Sequence, residues 1–421
     1  MLIFEESIEA IIVFPIFNKS VIEKEFALNG INPGCGGTQY VTIILAQLLS
    51  GENPSWKVVT LNDGTFVNDE SSNVCQIHCK DIDSGLVQLN KEFKGVKVLV
   101  APEVVLKNIS NKKVSLREWK IVGWLHHPFH LSLELLLANC DAYVSCGSYQ
   151  YESNKFFYKN HWQINNIFLL PPKTKKCTKA EEQYLNLIYL GALVPGKGFH
   201  LVAQQWKSIK SIAPKVKLHV VGGISTYGRD NETALIPTTQ DYARTILEFI
   251  DEDDIRNGDV IFHGNIGKEK FSIIRNCYAA ILNPTGESEA FPASPLECMS
   301  QGVPVIASSD FGMIDSMQYF PELSVKSADE ITEKLRSILD DRELYLELSA
   351  RSIAVAKWFS SQTEISLIRW NRLLSKVIGE LDVGNSGPYL DVRKKKYRMV
   401  TRILWSVTRM FKKLVVNRRV H

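Results

Sequence analysis

The stretch Asn283–Ser308 (NPTGESEAFPASPLECMSQGVPVIAS) constrains the fold more than any other part of this chain. The apolar run Tyr278–Leu282 leads into it as a strand, and Pro284, Thr285 and Gly286 break that run. Ser294-Pro295-Leu296-Glu297 then has the form of a helix start, with Ser as N-cap, Pro at the first helical position and Glu three residues after the cap. Cys298 to Gln301 continue the helix, Gly302 ends it, and Pro304 to Ala307 read as the next buried strand.

The same alternation runs through both halves. Ile8–Pro15, Trp56–Thr60, Val96–Ala101, Lys120–Leu125, Asp141–Ser145 and Ile167–Leu170 read as short apolar strands, with segments between them long enough for helices or crossovers. That spacing argues a parallel sheet covered on both faces. After Pro171, Pro172 and the basic run Lys173–Lys179, strands restart at Asn186–Leu190, Val216–Val221 and Val260–His263. Phe199, Val202, Ala203, Trp206 and Ile209 fall at helical spacing between the first two. Ser327–Glu330 has the form of a second capping box, opening a helix to Leu339, and Leu344–Phe359 and Thr363–Leu381 are expected helical. Two doubly wound α/β domains facing each other across a cleft are the expected architecture.

Glu289 lies in the loop and Glu297 in the first helical turn, with seven residues between them. A carboxylate accepts two hydrogen bonds from a vicinal diol, so such a pair suits a sugar and a ribose. The helix start between them has unpaired N–H groups that favour a phosphate. Spacing alone leaves blander readings open: Glu297 as the glutamate of a capping box, Glu289 as a solvated loop residue.

Three further loops stand at strand ends, where ligands of such sheets sit. Asn32-Pro-Gly-Cys-Gly-Gly-Thr-Gln39 precedes the helical run Tyr40–Ser50 and makes an anion cradle in principle, although a tight turn needs glycine anyway. The strand IVGWL ends in His126-His127-Pro128; a histidine there reaches a ligand or bonds a nearby carbonyl. Gly191-Ala-Leu-Val-Pro-Gly-Lys-Gly198 follows the first strand of the second half.

Taken together, ESEAFPASPLECMSQGVPVIAS and GALVPGKGF resemble the two donor-site signatures of retaining glycosyltransferases of the GT-B fold, specifically glycosyltransferase family 4 (glycosyl transferases group 1). The resemblance implies GT-B, two Rossmann-like domains with C-terminal helices crossing back onto the first. It gives Glu289 the donor sugar, Glu297 the ribose, and the diphosphate to backbone amides among Phe291, Pro292, Ala293 and Ser294, of which Pro292 has no N–H. Lys197 fits the diphosphate-binding lysine, whose ammonium offsets leaving-group charge. The Gly36-Gly37 loop approaches the phosphates. Asn265 and Ile266 lie near the nucleobase through their backbone. The family's strand-end histidine aligns best with His126, with His127 as fallback. One departure stands out: the family's usual arginine is here Ala192, and Arg229 is the candidate replacement.

By the same resemblance, retention involves front-face attack assisted by the leaving phosphate, with no cofactor and no required metal. Expected boundaries are 1–172 for the first domain, 173–185 for the linker, 186–360 for the donor domain, 361–382 for the returning helix and 389–421 for a basic tail. A sugar-nucleotide epimerase of the same fold and a non-catalytic nucleotide-sugar binder are the alternative readings.

The net charge of +3 on 421 residues conceals an uneven distribution. Arg393 to Arg419 carries eleven Lys or Arg and no acid, so the rest of the chain carries −8, which argues against nucleic acid as a partner of the body. Within the tail, Val407, Met410, Phe411 and Leu414 recur at helical spacing, with Arg402, Arg409, Lys412 and Lys413 between them and Trp405 nearby. That pattern is expected to lie on an anionic membrane surface, with a glycan or lipid-linked acceptor explaining the placement. No apolar run reaches the roughly 20 residues that span a bilayer. The eight scattered cysteines and the acidic opening at Glu5 and Glu6 point to reduced cytosolic thiols, and the tail to a peripheral position at the cytosolic membrane face. Cys75, His78 and Cys79 lack a fourth metal ligand nearby.

Overall fold

The computed structural model describes residues 7–17, 25–64, 67–68, 73–109, 116–127, 140–155, 158, 160–172, 184–224 and 235–379. Two parallel sheets organise them. The first has seven strands: Ala10–Ile16, Trp56–Asn62, Cys75–His78, Val96–Pro102, Trp119–Leu125, Ala142–Ser145 and His161–Gln163. Numbered along the chain, their spatial order is 3-2-1-4-5-6-7, the doubly wound arrangement. Every pairing is parallel, beginning with Ala10 opposite Trp56 on one side and Val96 on the other.

Because successive side chains of a strand point to opposite faces, this sheet builds two cores. Ile12, Phe14, Val98 and Trp124 pack on one face under the helices Gly37–Leu49 and Thr363–Ile378. Ile11, Val13, Leu99 and Leu125 pack on the other, against Leu86 and Leu89 of the helix Ile82–Glu92 and Leu106 of Glu103–Ile109. Near-continuous apolar runs are what a sheet buried on both faces requires.

The second sheet has six parallel strands, Leu185–Leu190, Val216–Val221, Val260–Gly264, Ala279–Leu282, Val305–Ser308 and Ser324–Val325, in the order 3-2-1-4-5-6. Phe199, Val202, Ala203, Trp206 and Ile209 are all fully buried in its core, as their spacing predicts. Gly222 lies at φ +125°, and a Cβ there would fall 2.1 Å from the carbonyl oxygen of Gly191, so the loops after the first two strands touch through backbone.

The helix Arg342–Ser361 closes the second domain, and Thr363–Ile378 lies on the first. Trp370, Leu373, Leu374 and Val377 enter the first domain's core, Trp370 meeting Trp124 edge to face at 5.1 Å. The two domains meet again where Ser148 donates its N–H to Asp315 at 3.0 Å. There Gly147 approaches Ala290 so closely that a Cβ would fall 2.2 Å from the Ala290 carbonyl oxygen.

Three sequence expectations are corrected. Ile167–Leu170 is not a strand; the sheet's seventh strand is His161–Gln163. The run is apolar because it passes between the cores, Ile167 packing in the first and Phe168 in the second. Ser294 is not an N-cap: Ala293 already has helical dihedrals, its carbonyl accepts from Glu297 N–H at 2.9 Å, and no side chain caps the helix. Ser327 is not one either. The helix is Asp329–Asp340, preceded by uncapped Ala328, and Glu330 accepts instead from Lys326 N–H at 3.0 Å.

Candidate active site

The loop leaving Ala279–Leu282 is shaped by backbone that few residues adopt, with Asn283 at φ 33° and Ser288 at φ 62°. Asn283 has a local reason to be there. Its side-chain amide donates to the Glu287 carbonyl at 3.0 Å and to Glu289 Oε1 at 3.2 Å, so it folds the loop and aims the carboxylate. Thr285 Oγ1 lies 2.9 Å from the Gly196 carbonyl and ties this loop to the one carrying Lys197. The Lys197 ammonium and the Glu289 carboxylate form an ion pair, each side chain 14% exposed. Lys197 sits in a single tight turn, Pro195–Lys197, whose exit at Gly198 is left-handed.

Glu297 is buried inside the second domain. Its Oε1 accepts from Lys270 Nζ at 2.6 Å, with the two side chains 9% and 6% exposed. The capping-box reading of Glu297 therefore fails, because its carboxylate turns to Lys270 and not back to the helix start. Lys270 belongs to the helix Glu269–Arg275, just after the turn that carries Asn265 and Ile266.

That turn faces the glycine-rich loop of the first domain. A Cβ on Gly34 would meet Ile266 backbone at 3.4 Å, and one on Gly267 would meet Pro33 backbone at 3.3 Å. Asn32 Oδ1 accepts from both Gly34 N–H and Cys35 N–H at 3.0 Å and fixes the loop. Gly36 (φ −60°) precedes the helix that Gly37 begins. Neither is among the left-handed residues, so turn geometry does not account for glycine there. A side chain on Gly37 would meet nothing within 4 Å. Tyr40, one turn into this helix, is buried, and its hydroxyl has no hydrogen-bond partner among the described residues. Burial, then the charges of Glu297 and Cys35, hold its phenol well above the usual range.

The two adjacent histidines, just past the end of the strand Trp119–Leu125, part company. His126 shares the face of Trp124, their rings 4.4 Å apart; it is 9% exposed, and burial pulls its pKa down to about 4. Its Nε2 has no partner among the described residues. The Glu103 carboxylate lies 2.7 Å from the His127 Nδ1, and half of the His127 ring remains open. The Glu103 hydrogen bond raises the His127 pKa, and Lys197 and Glu289 also act on its charge. Thus His127, not His126, keeps an open ring. Ala192 lies in the loop after Leu185–Leu190, part-buried. Arg229 falls in 225–234, outside the described residues, as does the tail beyond residue 379.

The gathered groups are a cation, two carboxylates, a glycine-backed loop and a histidine at the carboxyl ends of two facing sheets. Residues 172–354 match the family model of Glycosyl transferases group 1. Over 177 residues the chain is 25% identical to the lipopolysaccharide 1,2-N-acetylglucosaminetransferase of Salmonella typhimurium, a match covering 41% of this chain and 44% of that relative. Among solved structures it is similar to sucrose-phosphate synthase from Thermosynechococcus elongatus, with TM-score 0.62, 13% identity, and 89% and 100% of the two chains covered. It is also similar to Anabaena HepE in complex with UDP and glucose, with TM-score 0.60, 14% identity, and 88% and 100% covered. The fold is GT-B.

Sequence reasoning missed three residues of this region. Glu103 had a signal, an acid directly after a buried strand, where ligand-facing groups stand. Asn283 likewise ends a strand. Lys270 had none, since its partner is 27 positions away on another helix.

Proposed function

We propose that this chain is a glycosyltransferase that moves a sugar from a nucleoside-diphosphate sugar to a glycan or lipid-linked acceptor, with retention of configuration. The observation that carries the reading is the Lys197–Glu289 pair at the cleft, its carboxylate aimed by Asn283 and its two loops tied together by Thr285. In the unliganded site each charge satisfies the other. A donor would take both: the diphosphate draws the ammonium, and the carboxylate is freed to accept from sugar hydroxyls. Lys197 then offsets the charge that develops on the departing diphosphate, the largest single contribution available to such a site.

Glu297 is the candidate ribose acceptor, with Lys270 fixing one of its oxygens and leaving the other for the diol. The N–H groups of Phe291, Ala293 and Ser294 are the candidate amide contacts to phosphate, and Gly36 and Gly37 let first-domain backbone approach it. Asn265 and Ile266, beside the glycine-rich loop, are the candidate nucleobase contacts. Retention and independence from added metal rest on the family resemblance, as do the glycan or lipid-linked class of acceptor and the role of Arg229. HepE, a structural relative in complex with UDP and glucose, supports a nucleotide sugar as donor. The basic tail is the candidate contact to an anionic membrane.

The test is a thermal-shift panel of UDP-, GDP- and ADP-sugars, because a ligand that binds only the native state raises its melting temperature. The stabilising donor is then incubated with truncated lipid-linked and oligosaccharide acceptors with and without EDTA, and the anomeric configuration of the product is read by NMR. Stabilisation by one base series and an EDTA-insensitive, retained linkage is the expected result. Indifference to all three series would remove the donor site.

A further inference from the structure

The helices Arg342–Ser361 and Thr363–Ile378 run on from one another through Gln362, whose backbone stays helical. Gln362 N–H donates to the Phe359 carbonyl at 3.1 Å, and its own carbonyl accepts from Ser366 N–H at 2.9 Å. One side of this run faces the cores: Phe359, Ser366, Trp370, Leu373, Leu374 and Val377 are all buried. At 3.6 residues per turn, Trp358, Ile365, Arg369, Arg372 and Lys376 fall within an arc of about 60° on the other side. Lys357 and Ile368 flank that arc. Trp358, Ile365 and Ile368 are 45%, 44% and 54% exposed, and the four basic residues are exposed as well. Glu364 is the one acid between Leu348 and Gly379. Arg369 donates to the Gln163 carbonyl at 3.1 Å, and none of the four cations pairs with a carboxylate among the described residues.

We propose that this stripe rests on an anionic lipid surface, as a second contact of the body beside the basic tail. Single exposed apolar residues are ordinary on a soluble protein. A tryptophan and two isoleucines set among four cations are the composition of a helix that lies in a membrane interface. The isoleucines enter the acyl boundary, Trp358 stands at headgroup depth, and Lys357, Arg369, Arg372 and Lys376 meet the negative headgroups. The stripe also crosses the domain junction. Trp358 belongs to the helix that closes the second domain. The next helix lies on the segment that leaves the first sheet, with Thr363 Oγ1 3.3 Å from the Phe168 carbonyl and Ser366 Oγ 3.2 Å from that of Asn165. Lipid therefore touches the body at the seam between its domains and gives it one orientation. A single contact of this size binds marginally and reversibly, and stable anchoring takes two. The stripe thus depends for affinity on the membrane contact proposed for the tail.

The experiment is sedimentation of the full chain with vesicles containing phosphatidylserine at low salt. Lys357→Ala/Arg372→Ala removes two cations and should weaken the partition about 30-fold. Trp358→Ser/Ile365→Ser/Ile368→Ser should weaken it several-fold at both low and high salt. Val87→Ser/Leu235→Ser, which removes exposed apolar groups elsewhere, should leave it unchanged. All three variants should keep the wild-type melting temperature and its shift with nucleotide, because the altered side chains are exposed and lie outside the donor site. Wild-type partition in both stripe variants would overturn the proposal and leave the tail's contact standing. Stronger binding in them would overturn it too, by showing that the tail itself covers the stripe. So would a lipid-free wild type that is dimeric by sedimentation velocity and becomes monomeric in the apolar triple variant, which assigns the stripe to a second copy of the chain. A wild-type chain that does not sediment would take down the tail's contact and the stripe's together.

Discussion

Lys270 and Glu297 meet at 2.6 Å inside the second domain, each side chain less than one-tenth exposed. Removing one partner of a buried pair leaves the other charge unpaired, at a cost of about 3–5 kcal/mol. Lys270→Met should therefore lower stability by that order, and it should also weaken nucleotide binding by releasing the carboxylate from its set position. Lys270→Met/Glu297→Leu should recover most of the stability and none of the binding. Denaturant unfolding and calorimetric titration with nucleotide separate the two effects. A double variant that binds nucleotide normally would strip Glu297 of its role.

Lys197→Ala should reduce turnover by a factor of roughly 10²–10³, the range for losing one group that stabilises developing charge. Glu289→Gln should lower turnover with less effect on affinity for the nucleoside diphosphate. Asn283→Ala should follow Glu289→Gln in direction, since the Asn283 amide aims that carboxylate. If Arg229 supplies the cation missing at Ala192, Arg229→Ala is comparably damaging and Ala192→Arg partly rescues it. Steady-state kinetics across the set decides the matter: a fully active Arg229→Ala enzyme assigns that arginine to the surface.

Acid should weaken the fold well before carboxylates titrate. Burial pulls His126, His161 and His219 each down to a pKa of about 4. The unfolded chain binds those protons near pH 6.5 and the native chain does not, so stability falls as pH drops from about 6.5 to 4. His127 works in the opposite direction: its raised value makes a contribution that is full below pH 6.5 and is lost as pH rises through the folded value. The net prediction is a melting temperature that declines through that acid window. His126→Phe, which keeps a ring against Trp124 and removes a titrating group, should flatten the decline. An unchanged slope in that variant would show that His126 does not contribute.

What could be read from the chain was what depends on local pattern. Ile11 and Ile12 alternate between two cores, and the apolar strand runs that follow from such burial set out both sheets. Phe199 through Ile209 announced a buried helical face in the same way. What could not be read depends on residues distant in sequence. Ser294 had the chemistry of a cap, but the backbone at Ala293 turned helical one residue sooner. Ile167–Leu170 had the composition of a strand because it lies between two cores. His126 followed the aliphatic run most directly, and that very continuity buried it beside Trp124. His127 keeps a half-open ring and is held by Glu103, 24 residues away in sequence.

The last prediction concerns the basic tail, residues 389–421, which lies outside the described residues. Arg393, Lys394, Lys395, Lys396 and Arg398 form a cluster, followed by Ile403, Leu404, Trp405, Val407, Met410, Phe411, Leu414 and Val415. A segment of that pattern lies in a membrane interface with the tryptophan at headgroup depth. Attraction to anionic lipid contributes about 1 kcal/mol per basic residue near the surface. It is screened by salt over a distance of about 10 Å at 0.1 M. The full chain should therefore sediment with vesicles containing phosphatidylserine at low salt, less at high salt, and less with phosphatidylcholine alone. A chain ending at residue 388 should stay in the supernatant. The apolar half of the pattern predicts residual binding at high salt, which Trp405→Ala and Phe411→Ala together should remove. Equal pelleting of both chains, or pelleting by neither, would separate the tail from the membrane.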